Sequence, residues 1–229
     1  MPTLLLHQWE MSPFCNKVRR CLRHKGLAFE VKNYNGLEAR KAAGLSPVGT
    51  LPVLDYDGER TVDSSAIARL LDARHPEAPL YPADPAELAL ARFWEDWAAQ
   101  SLYFFEIHLR MLDPVAMEKA LDLICAGRPG YERALMKMVL GRRYPKKLAA
   151  QGIGKLPVAE VERRLVEHLE GLEALLRGRD WLVGTAPSIA DLSVVAQLDE
   201  LVRTSRLADK IRSYPALRAW LERTPGAAG

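Results

Sequence analysis

The first residues able to do chemistry are Ser12-Pro13-Phe14-Cys15. In a C-P-x-C dithiol motif the leading thiolate attacks a disulfide through a mixed-disulfide intermediate. Here a serine stands in that place and only Cys15 keeps a sulfur. A serine before a proline has two other uses. It caps a helix whose first position is Pro13, and its hydroxyl can donate to a bound group. The two uses are compatible, and the local sequence leaves both open. A second candidate is Asp63-Ser64-Ser65, where a hydroxyl and a helix-start N–H could receive a carboxylate. Taken locally, an ordinary helix cap accounts for it. His7, His24, His75, His108 and His168 show no metal-ligand spacing, and no Cys/His cluster suggests zinc, so no metal is expected.

Elements must hold these residues in place. Leu4-Leu5-Leu6 reads as a short buried strand ending near Gln8. The helix after Ser12 has one apolar face, Phe14, Val18, Cys21 and Leu22, with Cys15 also turned inward and Lys17, Arg20 and His24 towards water. Gly26 stops it, and Phe29 to Lys32 alternates as a strand. Pro52 opens another strand at Val53 and Leu54, Asp57-Gly58 signals a hairpin, and Glu59 to Val62 returns. Asp63 or Ser64 then caps a helix bearing Ile67, Leu70 and Leu71. Pro76, Pro79, Pro82 and Pro85 exclude a regular helix and mark a linker. Beyond it the pattern is helical, over roughly 86–111, 114–125, 130–141, 158–177, 188–204 and 214–223. The expectation is an α/β domain over 1–78 followed by an all-helical domain over 86–229.

Composition narrows the function classes. A chain of 229 residues, 48% hydrophobic, can bury a sizeable core. A net charge of +3 is too small to argue for nucleic acid. The cluster Arg142, Arg143, Lys146, Lys147 reads as a solvated face. No apolar run is long enough to span a bilayer, and the start is too short and too quickly polar for a signal peptide. Three irregularly spaced cysteines, Cys15, Cys21 and Cys125, are not a disulfide framework, so a reduced, cytoplasmic setting is expected.

Four segments, in order, resemble the cytosolic glutathione transferase superfamily. They are Ser12-Pro13-Phe14 followed by Lys17-Val18-Arg19; Ser46-Pro47-Val48-Gly49-Thr50-Leu51-Pro52-Val53-Leu54; Asp63-Ser64-Ser65-Ala66-Ile67; and Ser188-Ile189-Ala190-Asp191. The resemblance implies an N-terminal thioredoxin-like domain, an all-helical C-terminal domain and a homodimer built through both. It implies glutathione as co-substrate, a small electrophile as partner, and a detoxifying alkyl or aryl transfer. Ser12 would hydrogen-bond the glutathione sulfur, beside Phe14 and Thr50. The need is quantitative: a thiol of pKa about 8.5 is only about 3% ionised at pH 7. Lowering it by about two units takes about 2.7 kcal/mol of preference for the thiolate, an amount a hydroxyl donor at a helix N-terminus can approach. Pro52 would be cis, with the backbone of Leu51 pairing the cysteinyl part. Asp63 and Ser64 would hold the γ-glutamyl end, and Lys41 would reach the glycine carboxylate. Ser188 and Asp191 would form a structural capping box. Trp9, Phe14, Tyr103, Phe105 and Met111 are the expected lining of the electrophile pocket. Leu112 to Leu156 departs from compact family members and reads as an enlarged insert.

Two competing functions remain. One is a glutathione-dependent thiol-disulfide oxidoreductase using Cys15. The other is a non-catalytic glutathione- or protein-binding module of the same fold.

Overall fold

Leu4 and Leu6, 3% and 0% exposed, anchor the first strand in the core. A computed structural model of the chain describes residues 2–226; the outermost positions of the two expected domains, 1 and 227–229, lie outside the described residues. The strands are β1 (Leu4–Gln8), β2 (Glu30–Asn33), β3 (Val53–Tyr56) and β4 (Glu59–Val62), in the order β2-β1-β3-β4. β1 pairs parallel with β2, Leu6 opposite Val31, and antiparallel with β3, Leu6 opposite Leu54. The β3–β4 hairpin turns at Asp57 and Gly58, both at positive φ (49° and 86°), the backbone that an Asp-Gly pair favours. Helix α1 (Pro13–His24) follows β1, a 3-10 segment Gly36–Gly44 follows β2, and α2 (Ser64–Arg74) follows β4. This mixed sheet with its helices is the N-terminal domain.

After the proline-rich linker every regular element is helical. α3 (Pro85–Trp97) runs through a π segment, Ala98–Leu102, into α4 (Tyr103–Leu112). Then come α5 (Pro114–Ile124), α6 (Gly130–Gln151), a 3-10 turn Ile153–Lys155, α7 (Val158–Leu176), α8 (Ile189–Thr204), α9 (Ala208–Ser213) and α10 (Pro215–Arg223). α8 is buried nearly all round, as its apolar residues on every face require. Ser188 and Asp191 form its capping box, and the Asp191 carboxylate also accepts from Leu182 N and Trp220 Nε1 at 2.9 and 2.8 Å.

Two expectations fail here, each for a physical reason. Lys17 and Arg20 do not face water; they are 3% and 2% exposed. The apolar periodicity of α1 identifies the face on the sheet, and the opposite face is covered by α3 and α8. Lys17 Nζ meets Glu95 Oε1 at 2.5 Å, and Arg20 meets Asp199 Oδ2 at 2.6 Å. Nor does the helix begun at 130 stop at 141. α6 passes Gly141 and carries Pro145 inside it. A buried stripe of Leu140, Tyr144 and Leu148 continues through the break. Burying each such side chain is worth about 1.5–3 kcal/mol, enough together to offset an interior proline at about 3 kcal/mol.

The core is in two parts. The larger joins the sheet, α1 and α2 to α7 and α8. The smaller, built from Met11, Ile107, Met117, Leu121, Ile124 and Leu148 among others, holds α5 and α6 against α4. Among the described residues no helix is long and apolar enough to cross a membrane.

Candidate functional site at the domain junction

A cavity of about 1260 Å³ opens where the two domains meet. The N-terminus of α1 forms part of its wall. Ser12 caps that helix, its Oγ accepting from Cys15 N at 3.3 Å, and its own N–H donates to Trp9 O at 3.0 Å. Ser12 lines the cavity. Cys15 behaves oppositely. It is fully buried, does not line the cavity, and burial pushes its thiol up to about 11 against the Ser12 hydrogen bond. At neutral pH such a thiol is protonated and a poor nucleophile.

The second wall is the loop entering β3. Ser46 ties it, accepting from Thr50 N at 3.1 Å and donating to Thr50 O at 3.3 Å. The Leu51–Pro52 peptide is cis. The N–H and C=O of Leu51 find no partner among the described residues, so both stay available at the cavity edge. The third wall is the start of α2. Asp63 caps it, Oδ1 accepting from Ser65 N and Ala66 N at 3.0 and 2.9 Å. Its φ of 76° is a conformation that L-residues rarely adopt and that costs on the order of 1–3 kcal/mol, a strain found most often at functional sites. Ser64, buried to 5% exposure, lines the cavity beside Asp63 and Ser65. Lys17 Nζ fixes Ser65 Oγ at 2.9 Å while it pairs with Glu95, so α1, α2 and α3 are tied at one point.

The rest is shared between the domains. Trp9 and Phe14 of the N-terminal domain and Tyr103 and Phe104 of the helical domain make an aromatic wall, the Phe14 and Tyr103 rings 4.9 Å apart. Opposite lie Met136, Leu140 and Tyr144 of α6. The 3-10 segment of the N-terminal domain is latched to the same helix. Leu37 N donates to Glu132 Oε2 at 3.2 Å, and Arg128 joins Glu132 at 3.0 Å and Glu38 at 3.6 Å. Gly36, at φ 58°, sits so close that a Cβ there would lie 2.5 Å from Glu132 Oε2.

Thus Trp9, Ser12, Phe14, Thr50, Leu51, Pro52, Asp63, Ser64 and Tyr103 all reach one cavity. Three candidates do not. Met111 is 4% exposed and packs in the smaller core without reaching the cavity. Phe105 packs edge-on against His168, with ring centroids 5.3 Å apart. Lys41 points to solvent and pairs with Glu38 at 3.3 Å, while its neighbour Arg40 lines the cavity. Arg142, Arg143, Lys146 and Lys147 are all exposed, as expected of a solvated face, and Arg143 and Lys147 also line the cavity. The only sequence signal for them is their i, i+4 spacing in step with Leu140 and Met136, hidden once Gly141 and Pro145 are taken as breakers. Among the described residues no group of three or more His, Cys, Asp or Glu comes together to hold a metal.

With that geometry in place, comparison with known proteins gives a consistent answer. Residues 6–79 match the model of the glutathione S-transferase N-terminal domain, and residues 157–223 match that of the C-terminal domain. The span between them, 80–156, contains α5 and α6. A glutathione S-transferase of Pseudomonas putida is 30% identical over 131 residues, covering 54% of this chain and 60% of that protein. The matched region therefore spans less than two thirds of that relative. A maleylacetoacetate isomerase of Pseudomonas aeruginosa is 26% identical over 93% of each chain. The crystal structure of the β-etherase LigF of Sphingobium sp. strain SYK-6 superposes with a TM-score of 0.70 at 25% identity, covering 96% of this chain and 94% of that one. Two matched domains in the family's order, over more than half of the chain, together with a mixed four-stranded sheet joined to a helical domain, place this protein in the glutathione S-transferase superfamily.

Proposed function

We propose that the protein is a glutathione transferase in which Ser12 holds the glutathione thiol as thiolate for attack on a small electrophile. The observation that carries this reading is the contrast at the start of α1. Ser12 lines the cavity, while the Cys15 thiol is sealed away from it and pushed up to about 11. The same contrast speaks against a disulfide exchange centred on Cys15.

The residues present suit a zwitterionic tripeptide. Asp63, Glu95 and Asp96, with Arg69 and Arg92, offer both signs of charge for an α-amino acid end. Leu51 offers one N–H and one C=O, independent of its side chain. Arg40 offers a cation for a carboxylate, the part expected of Lys41. Bound glutathione would supply the nucleophilic sulfur. Ser12 would donate to that sulfur and favour its ionised form, and the first turn of α1 would add its partial positive charge. Trp9, Phe14 and Tyr103 would exclude water from the reacting atoms and seat the electrophile. In a transfer to an aryl halide one carbon–sulfur bond forms, the carbon–halogen bond breaks, halide leaves, and the thiol proton has already gone to solvent.

The test is thiolate absorbance of bound glutathione against pH, with turnover of an aryl halide. A thiol midpoint about two units below that of free glutathione is expected. A bound thiol that titrates like free glutathione overturns the reading. A homodimer belongs to the same proposal, supported by Leu90 and Phe93 on α3, which are 51% and 71% exposed. Sedimentation at micromolar concentration giving only a species of single-chain mass counts against it.

A further inference from the structure

The part of the cavity beyond the glutathione end has a polarity of its own. On α6, Met136, Leu140, Arg143 and Lys147 recur at i, i+4, i+7 and i+11, one face of the helix, and all four line the cavity. That face changes character along its length, apolar at Met136 and Leu140, cationic at Arg143 and Lys147. From Leu140 to Lys147 the axial rise is about 10 Å, enough for one substituted ring with its apolar part against leucine and one substituent at the cations.

Both cations are exposed, and Lys147 is held in place. Lys147 Nζ donates to Tyr103 Oη at 2.9 Å and lies 4.7 Å from the centre of the Tyr103 ring. Because Oη accepts from the ammonium, the phenolic proton remains to be given to another acceptor. Burial holds that phenol well above its ordinary pKa, at about 12, so it stays a donor. Tyr103 in turn packs on Phe14, two residues from Ser12. Neither Arg143 nor Lys147 has a carboxylate within 4.0 Å among the described residues. The acids that line the cavity, Asp63, Glu95 and Asp96, belong to the α2–α3 side. Three donors, Lys147 Nζ, the Tyr103 O–H and the Arg143 guanidinium, therefore stand without an anion at the end of an apolar slot.

We propose that this end is a subsite for a carboxylate, and that the electrophile is an aromatic or conjugated molecule carrying a carboxylate distal to its reacting carbon. The proposal rests on the transferase reading above, because the electrophile is placed relative to a sulfur at Ser12. Arg143 and Lys147 are binding residues that select the substrate, and they take no part in the bond exchange.

Calorimetric titration with glutathione, S-benzylglutathione and S-(para-carboxybenzyl)glutathione tests it. The benzyl pair differs only in the carboxylate. The wild type is expected to bind the carboxyl conjugate about tenfold or more tighter than the benzyl conjugate, the order of gain from a charge-assisted hydrogen bond. That advantage is expected to vanish in R143M/K147M, to persist in R143K/K147R, and to shrink as salt is raised. If S-benzylglutathione binds but the carboxylate adds nothing, or adds as much in R143M/K147M, the anionic subsite is wrong while the glutathione site stands. If neither glutathione nor S-benzylglutathione binds, the transferase reading fails and the subsite fails with it.

Discussion

The two ends of the junction cavity are made of different material. The end at Ser12, Leu51 and Ser64 is made largely of backbone: a helix start, a cis peptide, a capped turn at positive φ. The end at α6 is made of side chains projecting from one helix face. Backbone devices need particular residue types at fixed spacing, so they leave a motif. A helix face needs only the right period, so many sequences satisfy it and none stands out. On the proposed reading the first end holds one constant ligand. The second is free to change with the substrate.

The largest test of that division is Ser12→Ala. On the proposed reading it removes the side-chain donor at the sulfur and is expected to lower conjugation at neutral pH about 25-fold, the fall in thiolate fraction if the full two units or so of thiol acidity are lost. Cys15→Ala in the same assay is expected to leave turnover nearly intact and to cost stability through packing. The reverse result, activity lost with Cys15 and kept without Ser12, would hand the site back to redox chemistry. Next is Ser64→Ala, expected to weaken glutathione binding by about tenfold, the order of one hydrogen bond to a charged group, with the bound thiol's acidity unchanged. Calorimetry against pH separates the two effects, and a shifted thiol midpoint would blur the division of labour between Ser12 and Ser64.

Smaller effects probe the seam between the ends. Gly36→Ala puts a methyl group against Glu132 and Arg128 and asks an L-residue to hold φ 58°. A loss of about 1–2 kcal/mol in urea unfolding is expected, together with weaker glutathione binding, because the 3-10 segment carries Leu37 and Arg40. The smallest effect lies beneath the floor. Glu106 is fully buried, and burial pushes its carboxyl up to about 8 although Arg110 opposes the shift. The folded state therefore keeps a proton that the unfolded chain has released. That contribution is complete below the ordinary value of 4.5 and is lost as pH rises towards about 8. The urea midpoint is expected to decline across this window, and the decline is expected to flatten in Glu106→Gln.

What could be read from the residues follows the same line. The order of elements was legible because strands, caps and turns each carry a local signature: Ser12-Pro13, Asp57-Gly58, Asp63, and Ser188 with Asp191. The junction was not. Periodicity identifies one buried face of a helix, and it could not reveal that Lys17 and Arg20 are covered on the other side by a domain that begins dozens of residues later. Met111 and Tyr103 lie on one helix with similar apolar character, and only the packing of α5 and α6 sends one inward and the other to the cavity. Arg143 and Lys147 are solvated charge as read, but Gly141 and Pro145 hid the helix that also brings them to the cavity. Local chemistry announces itself in the chain, whereas surfaces formed by two distant segments do not.

The contact between Glu132 and Leu37 N bears on how this protein could be re-engineered. Exchanging helical segments between relatives is an obvious route to new substrates, with the sheet domain kept as a constant cassette. In this chain the cassette is not self-contained, since one of its loops borrows an acceptor from α6 and packs at Gly36 directly against the side chains of Glu132 and Arg128. A graft that replaces α6 must bring a carboxylate to the same place, with a cation in the role of Arg128. Without them a chimera aimed at the substrate would carry a defect in the cavity-lining loop at Gly36.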